Sequence, residues 1–400
     1  MTKEKIISLC SENLNYMTDI RRQLHANPET GFDTVKTMEL IASELKKMNI
    51  TAKKCGKSGI SALIGNGSPC ILLRADCDAL AINEETDLDF RSLNGNMHAC
   101  GHDIHTSQLL GAAKILKMCE DSLKGSVKLM FQSAEETLEG ASDMIDGGIL
   151  ENPSPDAALM IHVMTGTELE SGTLIVPPHG QSAPSADFFR IKIKGKGCHG
   201  SSPSLGKDPL YSGCCIVCAL SEINSRELAF GERAILTVGS FNAGENANVI
   251  PDSAEICGTL RCSGEETRMY VKKRICEIAE CTAKAFGTEA ETEFTSGCPS
   301  LVNDREMCAL AYKALCDGLG EHNVIDGGKN LQGISKTSGS EDFSYITQKV
   351  PSVMLALAAG NTDDGHTHPL HHPKVTFDEK AMVNGCATLV FTALDYLKSN

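Results

Sequence analysis

The chain has 400 residues, of which 41% are hydrophobic and 22% charged, the balance of an ordinary folded enzyme. Its 37 basic against 52 acidic side chains leave a net charge of −15, which argues against nucleic acid and anionic membrane surfaces as partners. At about 150 residues per domain, the length predicts two or three domains.

The 18 cysteines are scattered, and several sit inside apolar helical patterns (Cys214, Cys215, Cys218). Such usage reads as reduced, buried thiols. No secretory signal is visible at the amino end, and the longest nearly apolar run, Val350 to Ala359, is too short to cross a bilayer. A cytoplasmic location is the expectation.

Taken in order, residues 4–26 carry Ile6, Leu9, Ile20 and Leu24 on one helical face and stop at Asn27-Pro28. A second helix is predicted from Thr34 to Met48. The period then changes, and Ile60–Ile64 and Ile71–Leu73 read as strands. Thr106 to Met118 is helical, Val127–Phe131 is an apolar strand, and Ala157–Ile161 is another. Asp76, Asp78, Glu135, Glu136 and His162 are all expected just beyond strand ends. In an open, mostly parallel α/β sheet, ligands bind outside the carboxyl ends of the strands, so these groups should converge.

From residue 184 the pattern alternates with period two: Phe189, Ile191 and Ile193 against Arg190, Lys192 and Lys194. Asp208-Pro209 opens a helix running to about Ser225. Ala234–Phe241 and Ala254–Leu260 are strands. A capping box at Ser263-Gly264-Glu265-Glu266 opens a long helix that Gly287 closes, before a strand at Glu289–Thr295. The order β-α-β-β-α-β predicts a ferredoxin-like α+β domain at 184–295, inserted into a first domain made of 1–183 and 296–400. The first domain resumes with a helix at Asp304–Leu319 and a buried strand at Val353–Ala358. A loop from Gly360 to Pro373 holds His366, His368, His371 and His372, and a last helix runs from about Asp378 to Leu397.

The densest chemistry lies in Met97 to His105, reading Met-His-Ala-Cys-Gly-His-Asp-Ile-His. Cys100 and His102 flank Gly101, whose missing side chain leaves both free to face one point. Thiolate with imidazole suits zinc, cobalt, nickel or manganese better than calcium or magnesium. Cys100, His102, Glu136, His162 and one of the late histidines form a candidate donor set large enough for two divalent cations. Of the adjacent Glu135 and Glu136, one could bind metal while the other takes a proton from a metal-bound water. A solvated acidic helix start is the plainer account of that pair. Asp76 and Asp78 face the same side of a strand, and Asp76 could orient a ligand imidazole; simple N-capping is the alternative. His199, in Gly197–Pro203, reads on its own as a surface loop histidine. His25, His179 and His322 have no companion signal and read as structural. A thiol hydrolase with Cys100 as nucleophile and His102 as base is a weaker chemistry, because it leaves the glutamate pair and His162 unused.

Several stretches together resemble one family. They are Arg21-Arg22-Gln23-Leu24-His25 with Pro28-Glu29, Arg74 through Leu80, His98 through Asp103 with His105-Thr106, and Phe131 through Glu136. To these add Gly197 through Pro203, Asn248 through Pro251, Gly339 through Phe343, and Leu370-His371. Over nearly its whole length the chain is similar to the dinuclear-metal amidohydrolases that include hippurate hydrolase, auxin-conjugate hydrolases and N-acetyl-diaminopimelate deacetylase. The resemblance implies Cys100, His102, Glu136, His162 and His371 as metal ligands, Glu135 as general base and Asp76 as its outer partner. It also implies a dimerising lid in the inserted domain, making a homodimer, and roles for His199, Asn248 and Arg261 in holding substrate or its oxyanion. Cys77, Ala81 and Ser133 stand where the family often has Met, Pro and Pro, which bears on substrate preference.

The resulting expectation is a metal-dependent hydrolase of the amide bond of N-acyl amino acids, working by attack of metal-bound hydroxide. A dipeptidase or carboxypeptidase on the same site is the near alternative. A non-catalytic metal- or ligand-binding protein that kept the fold is the distant one.

Overall fold

The computed structural model describes residues 1–330 and 339–399. In chain order the elements are α1 (Lys3–Glu12), α2 (Leu14–His25), α3 (Val35–Lys47), β1 (Ala52–Cys55), β2 (Gly59–Gly65), β3 (Cys70–Asp76), α4 (His102–Met118), β4 (Ser126–Gln132), α5 (Gly140–Asp146), β5 (Ala157–Met164), β6 (Leu174–Val176) and β7 (Gly180–Ala183). Next come β8 (Ala186–Lys194), β9 (Cys198–His199), α6 (Pro209–Glu222), β10 (Ala234–Ala243), β11 (Val249–Ile250), β12 (Ser253–Cys262), α7 (Glu265–Ala285) and β13 (Glu289–Cys298). The chain ends with β14 (Leu301–Asn303), α8 (Arg305–Leu319), β15 (Val324–Asp326), α9 (Gly327–Asn330), α10 (Ser344–Thr347), β16 (Ser352–Ala358) and α11 (Ala381–Ser399).

Two compact units emerge. One is built on Met1–Ser182 and the later chain through α11; the other is built on Ala183–Leu301, with residues 339–344 added to it. The second unit therefore reaches a few residues past the strand end expected at 295.

The first unit holds an eight-stranded sheet in the order β1-β2-β4-β3-β5-β16-β6-β15. Its middle four strands, β4, β3, β5 and β16, are all parallel, whereas β1, β2 and β6 join by antiparallel pairs. Every residue of β3 and β4 is buried, as expected of strands covered on both faces. Leu73, Leu129, Leu159 and Leu355 of the four strands share a core with Leu109, Leu116 and Val390 of the helices.

Three local expectations change. The single helix at 4–26 is two helices, because Asn13 turns its Nδ2 onto Leu9 O at 2.9 Å and accepts from Lys114 Nζ at 2.7 Å. Helix α4 starts at His102 instead of Thr106, with Gly101 at φ 82° as its N-cap, so His102 and His105 lie on its first turn. Strand β5 runs on to Met164, so His162 sits within it and not beyond its end.

The second unit is a four-stranded antiparallel sheet in the order β10-β12-β8-β13, with α6 and α7 on it. By position in the chain this is second, third, first, fourth, the ferredoxin-like arrangement. Phe189, Ile191 and Ile193 of β8 meet Ile216 and Leu220 of α6 and Val271 and Ile275 of α7. Asp208 caps α6 as its sequence predicts, accepting from Leu210 and Tyr211 N–H at 2.9 and 3.2 Å. The capping box at α7 does not form. Ser263 Oγ instead donates to Arg233 O, and Gly264 at φ 98° is the N-cap.

Candidate metal centre

The carboxyl ends of the parallel strands in the first unit bring the chemistry together. Asp76 ends β3, the Glu135-Glu136 pair follows β4, and His162 is two residues from the end of β5. After β16 the chain enters the histidine loop. The donors Cys100, His102 and His162 form one group with their ligand atoms within 4.8 Å of one another; Cys100, Glu136 and His371 form a second, and His102, Glu135 and Glu136 a third. All five ligands expected from the resemblance, together with Glu135, thus share one site. Cys100 Sγ lies 3.6 Å from His162 Nε2 and 3.2 Å from His371 Nε2, and His371 Nε2 lies 3.6 Å from Glu136 Oε1. A tetrahedral ion with bonds of about 2.0–2.3 Å needs donors roughly 3.3–3.8 Å apart.

The ring nitrogens are sorted by what the other nitrogen touches. A carbonyl can only accept, so His102 Nδ1 donates to Asp78 O at 2.9 Å and His162 Nδ1 donates to Val163 O at 2.7 Å. Both rings therefore keep Nε2 as the free lone pair, and that of His162 lies 3.6 Å from Cys100 Sγ. His105 is different: its Nε2 accepts from Val163 N–H at 2.8 Å, so its Nδ1 donates to Asp76 Oδ1 at 2.5 Å. Both of its nitrogens are occupied, and the Asp76, His102, His105 group is a hydrogen-bonded tie, not a cation hole. The third imidazole of the nonapeptide, His98, is buried and joins no donor group among the described residues. The nonapeptide thus contributes one thiol and one imidazole.

Asp76 differs from its expected part. The partner orienting His102 is the Asp78 carbonyl, while Asp76 holds His105 and accepts from Arg74 Nη1 at 2.8 Å. Asp76 Oδ2 still lies 3.5 Å from His102 Nε2. Asp78 is the residue whose weight the sequence understates. Its two carboxylate oxygens accept from Glu135 and Glu136 N–H at 3.0 and 3.2 Å and so hold the turn that presents both glutamates. The sequence places Asp78 beyond a strand end and two residues from Asp76, but gives no sign that it holds the glutamate turn.

Two non-glycine residues take left-handed backbone here, Ala134 at φ 59° and His371 at φ 65°. Such positions persist only where their surroundings hold them, and they gather at working sites. Ala134 is fixed by its N–H to Gly31 O, and His371 by its N–H to Ala99 O at 2.9 Å. At Gly101 a Cβ would meet Val163 Cγ2 at 2.3 Å, so only glycine allows the close approach.

Burial pushes the Cys100 thiol well above its ordinary range, though His102 opposes it. Burial also raises Glu136 to about 7, with Asp78 and Asp76 adding to it and His102 opposing. Burial, helped by His105, pulls His162 down to about 3. Burial would lift Asp76 too, but Arg74, His102 and His105 outweigh it and keep the carboxyl well below its usual range. His102 Nε2 and Glu136 Oε1 are buried without a hydrogen-bond partner. Burial opposes charge on Cys100, Glu136 and His162, whereas Asp76 and Cys100 outweigh it at His102 and push that imidazole well above its ordinary range. Buried donors of mixed N, O and S type, two of them unpartnered, fit a divalent cation.

In the second unit, His199 is paired in register with Val249, and Gly200 N–H donates to Asn248 O at 2.7 Å, so these two expected substrate-holding residues are neighbours. Both are exposed. His199 Nδ1 accepts from Ser201 N–H, leaving Nε2 as the ring N–H. Arg261, on β12, donates from Nη1 to Ser340 Oγ at 2.6 Å.

Comparison with known proteins identifies this architecture. The model for peptidase family M20/M25/M40 matches residues 72–395. The chain belongs to that family. Among its M20 relatives, the N-acetyl-L-cysteine deacetylase of Bacillus subtilis is 38% identical, the alignment covering 95% of this chain and 88% of the relative. The hippurate hydrolase of Campylobacter jejuni is 34% identical, with 95% and 96% covered. A solved Bacillus subtilis structure, described as a dinuclear metal binding peptidase of the M20 family, superposes with a TM-score of 0.77 at 30% identity. That likeness covers 98% of this chain and all of the other. The protein is a hydrolase of the M20 family with its fold, a large mostly parallel sheet flanked by helices.

Proposed function

We propose that this protein hydrolyses the amide bond of N-acyl amino acids, using two divalent cations held by Cys100, His102, Glu136, His162 and His371. The observation that carries the reading is the position of Cys100 Sγ, common to the His102–His162 group and to the Glu136–His371 group. Cys100 belongs to both donor groups, so its thiolate would help hold cations bound at either. The substrate class rests on the relatives, which are named for N-acylated amino acids.

When bound, such cations supply Lewis-acid polarisation of a carbonyl oxygen and of water. The other steps belong to this chain. Glu135 is buried, with Oε2 4.0 Å from His102 Nε2, beside the donor set and not consumed by it. It takes the proton of the attacking water and delivers it to the leaving amine. His102 and His162 keep their tautomers through the Asp78 and Val163 carbonyls. His199 Nε2–H is a donor for the developing oxyanion, and Arg261 or Asn248 holds the substrate carboxylate. Asp76 fixes His105 and bears on His102 from outside the donor set.

Zinc, manganese, nickel and cobalt all suit these donors. A homodimer through the second unit is part of the same reading, supported by β10, a ten-residue strand that ends the sheet. Light scattering on the intact protein would read that stoichiometry. No helix among the described residues is long and apolar enough to cross a membrane, which is consistent with a cytoplasmic enzyme.

The test is a panel of acetyl-, benzoyl- and indoleacetyl-amino acids beside free dipeptides, with metal content measured. Turnover of the acylated compounds, abolished by chelation and restored by metal, is expected. Cleavage of free dipeptides alone would overturn the substrate assignment, and activity that survives chelation would overturn the metal assignment.

A further inference from the structure

One end of α2 carries charges that the hydrolytic chemistry does not use. Arg21 and His25, four residues apart on one face, are 1% and 0% exposed. Both reach the same atom: Arg21 Nε and His25 Nδ1 donate to Asp103 Oδ2 at 3.0 and 2.8 Å. Asp103 is the neighbour of His102 on the first turn of α4. The opposite nitrogen of His25 reaches Glu84 Oε1 at 3.1 Å, and Glu84 Oε2 accepts from Ser92 N–H at 2.7 Å. Arg21 Nη1 also donates to Glu379 Oε1 at 2.9 Å.

We infer that Arg21 and His25 form a positioning clamp that fixes the first turn of α4 through Asp103, and with it the donor atoms of His102 and Cys100. The inference rests on the metal reading given above. Adjacent residues on a helix point about 100° apart, so Asp103 and His102 face different ways. Two donors on one carboxylate oxygen fix the rotation of that turn about its axis. Where the His102 ring comes to rest follows from that rotation. Metal sites tolerate little freedom of this kind, and outer partners of ligands typically alter metal affinity by about 10–100-fold. The clamp has a second arm: Glu84 anchors the loop whose next residue, Glu85, donates its N–H to Pro373 O at 2.8 Å, just past His371.

The experiment uses cobalt(II) as the probe on the full-length protein stripped of metal. It reads the affinity and the thiolate-to-cobalt absorption, with a thermal melt of the metal-free protein alongside. His25→Asn keeps an amide N–H near the Nδ1 position and so keeps the Asp103 arm. His25→Gln keeps one near Nε2 and loses that arm. Cobalt affinity should fall at least tenfold in His25→Gln, with the absorption weakened, and stay within threefold of wild type in His25→Asn. The metal-free melts of the two variants should agree. Arg21→Lys, which retains the charge but not the Nε geometry, should behave as His25→Gln does and serves if that variant fails to fold. Wild-type affinity and spectrum in His25→Gln and Arg21→Lys would overturn the clamp, as would equal losses in both His25 variants. If the wild-type protein itself gives no thiolate band with cobalt, the metal reading has failed, and the clamp falls with it.

Discussion

The two sheets carry their candidate functional residues in opposite ways. In the first unit β3 and β4 are buried along their whole length, and their ends deliver side chains that are themselves buried or nearly so. In the second, β12 alternates buried with half-exposed residues, β10 is exposed or half-exposed throughout, and His199, at the end of the short strand β9, and Asn248 are exposed. A parallel sheet packed on both faces gives a rigid rim where donors can be held to fractions of an ångström. An antiparallel sheet with one wet face leaves side chains open to solvent. The contrast predicts that changes in the first unit act on metal and chemistry, and changes in the second on substrate or on stability.

The largest effect should come from Glu135→Gln, which removes the proton carrier but not a metal donor. Turnover should drop by about 10²–10⁴-fold with metal content unchanged. Wild-type turnover by the folded, loaded variant would break the comparison at its centre. Cys100→Ala should lower metal content as well as activity, because both donor groups use its sulfur. Elemental analysis of the purified variant reads this, and full occupancy of two ions would refute the shared ligand. His199→Ala should cost about 10²–10³-fold in turnover, the scale of one lost oxyanion donor, with metal content intact.

Stability changes sharpen the same contrast. Ile256, fully buried in the core of the second unit, should cost about 2–5 kcal/mol as Ile256→Ala. Lys192→Ala on the open face of the same sheet should stay within about 0.5 kcal/mol. Denaturant melts measure both. The smallest effect concerns acid. Burial would raise Glu379, but its bonds to Arg22 and Arg21 hold the carboxyl below its ordinary range. Its contribution is present above the unfolded carboxyl value and lost as pH falls through the lower folded one. Glu379→Gln should therefore lower stability at neutral pH and flatten its decline on acidification, read as melting temperature against pH.

Much of the site was legible in the primary structure. A thiol and imidazoles in one nonapeptide, with acids after apolar strands, announce soft-metal chemistry by composition and spacing alone. The roles inside that stretch were not legible. His98, His102 and His105 look alike on paper. What separates them is that Val163 N–H occupies His105, the Asp78 carbonyl orients His102, and His98 joins no donor group among the described residues. His25 read as structural because its partners, Asp103 and Glu84, are 78 and 59 residues away. The α7 capping box failed for the same kind of reason, since the carbonyl of Arg233, just before β10, took the serine hydroxyl.

By itself the sequence determined the kinds of donor present, the alternation that makes the second unit half wet, and the apolar runs that make the first a buried parallel sheet. These follow from short-range periodicity and side-chain chemistry, which need no knowledge of distant residues. Spacing alone leaves His371 and His372 undivided, the family resemblance points to His371, and only the tertiary structure gives the physical difference between them. Left-handed backbone and a bond to Ala99 turn His371 to Cys100, while His372 stacks on His368 with ring centroids 4.1 Å apart. That choice depends on groups 271 residues apart meeting across the end of a sheet, and no local spacing encodes such a meeting.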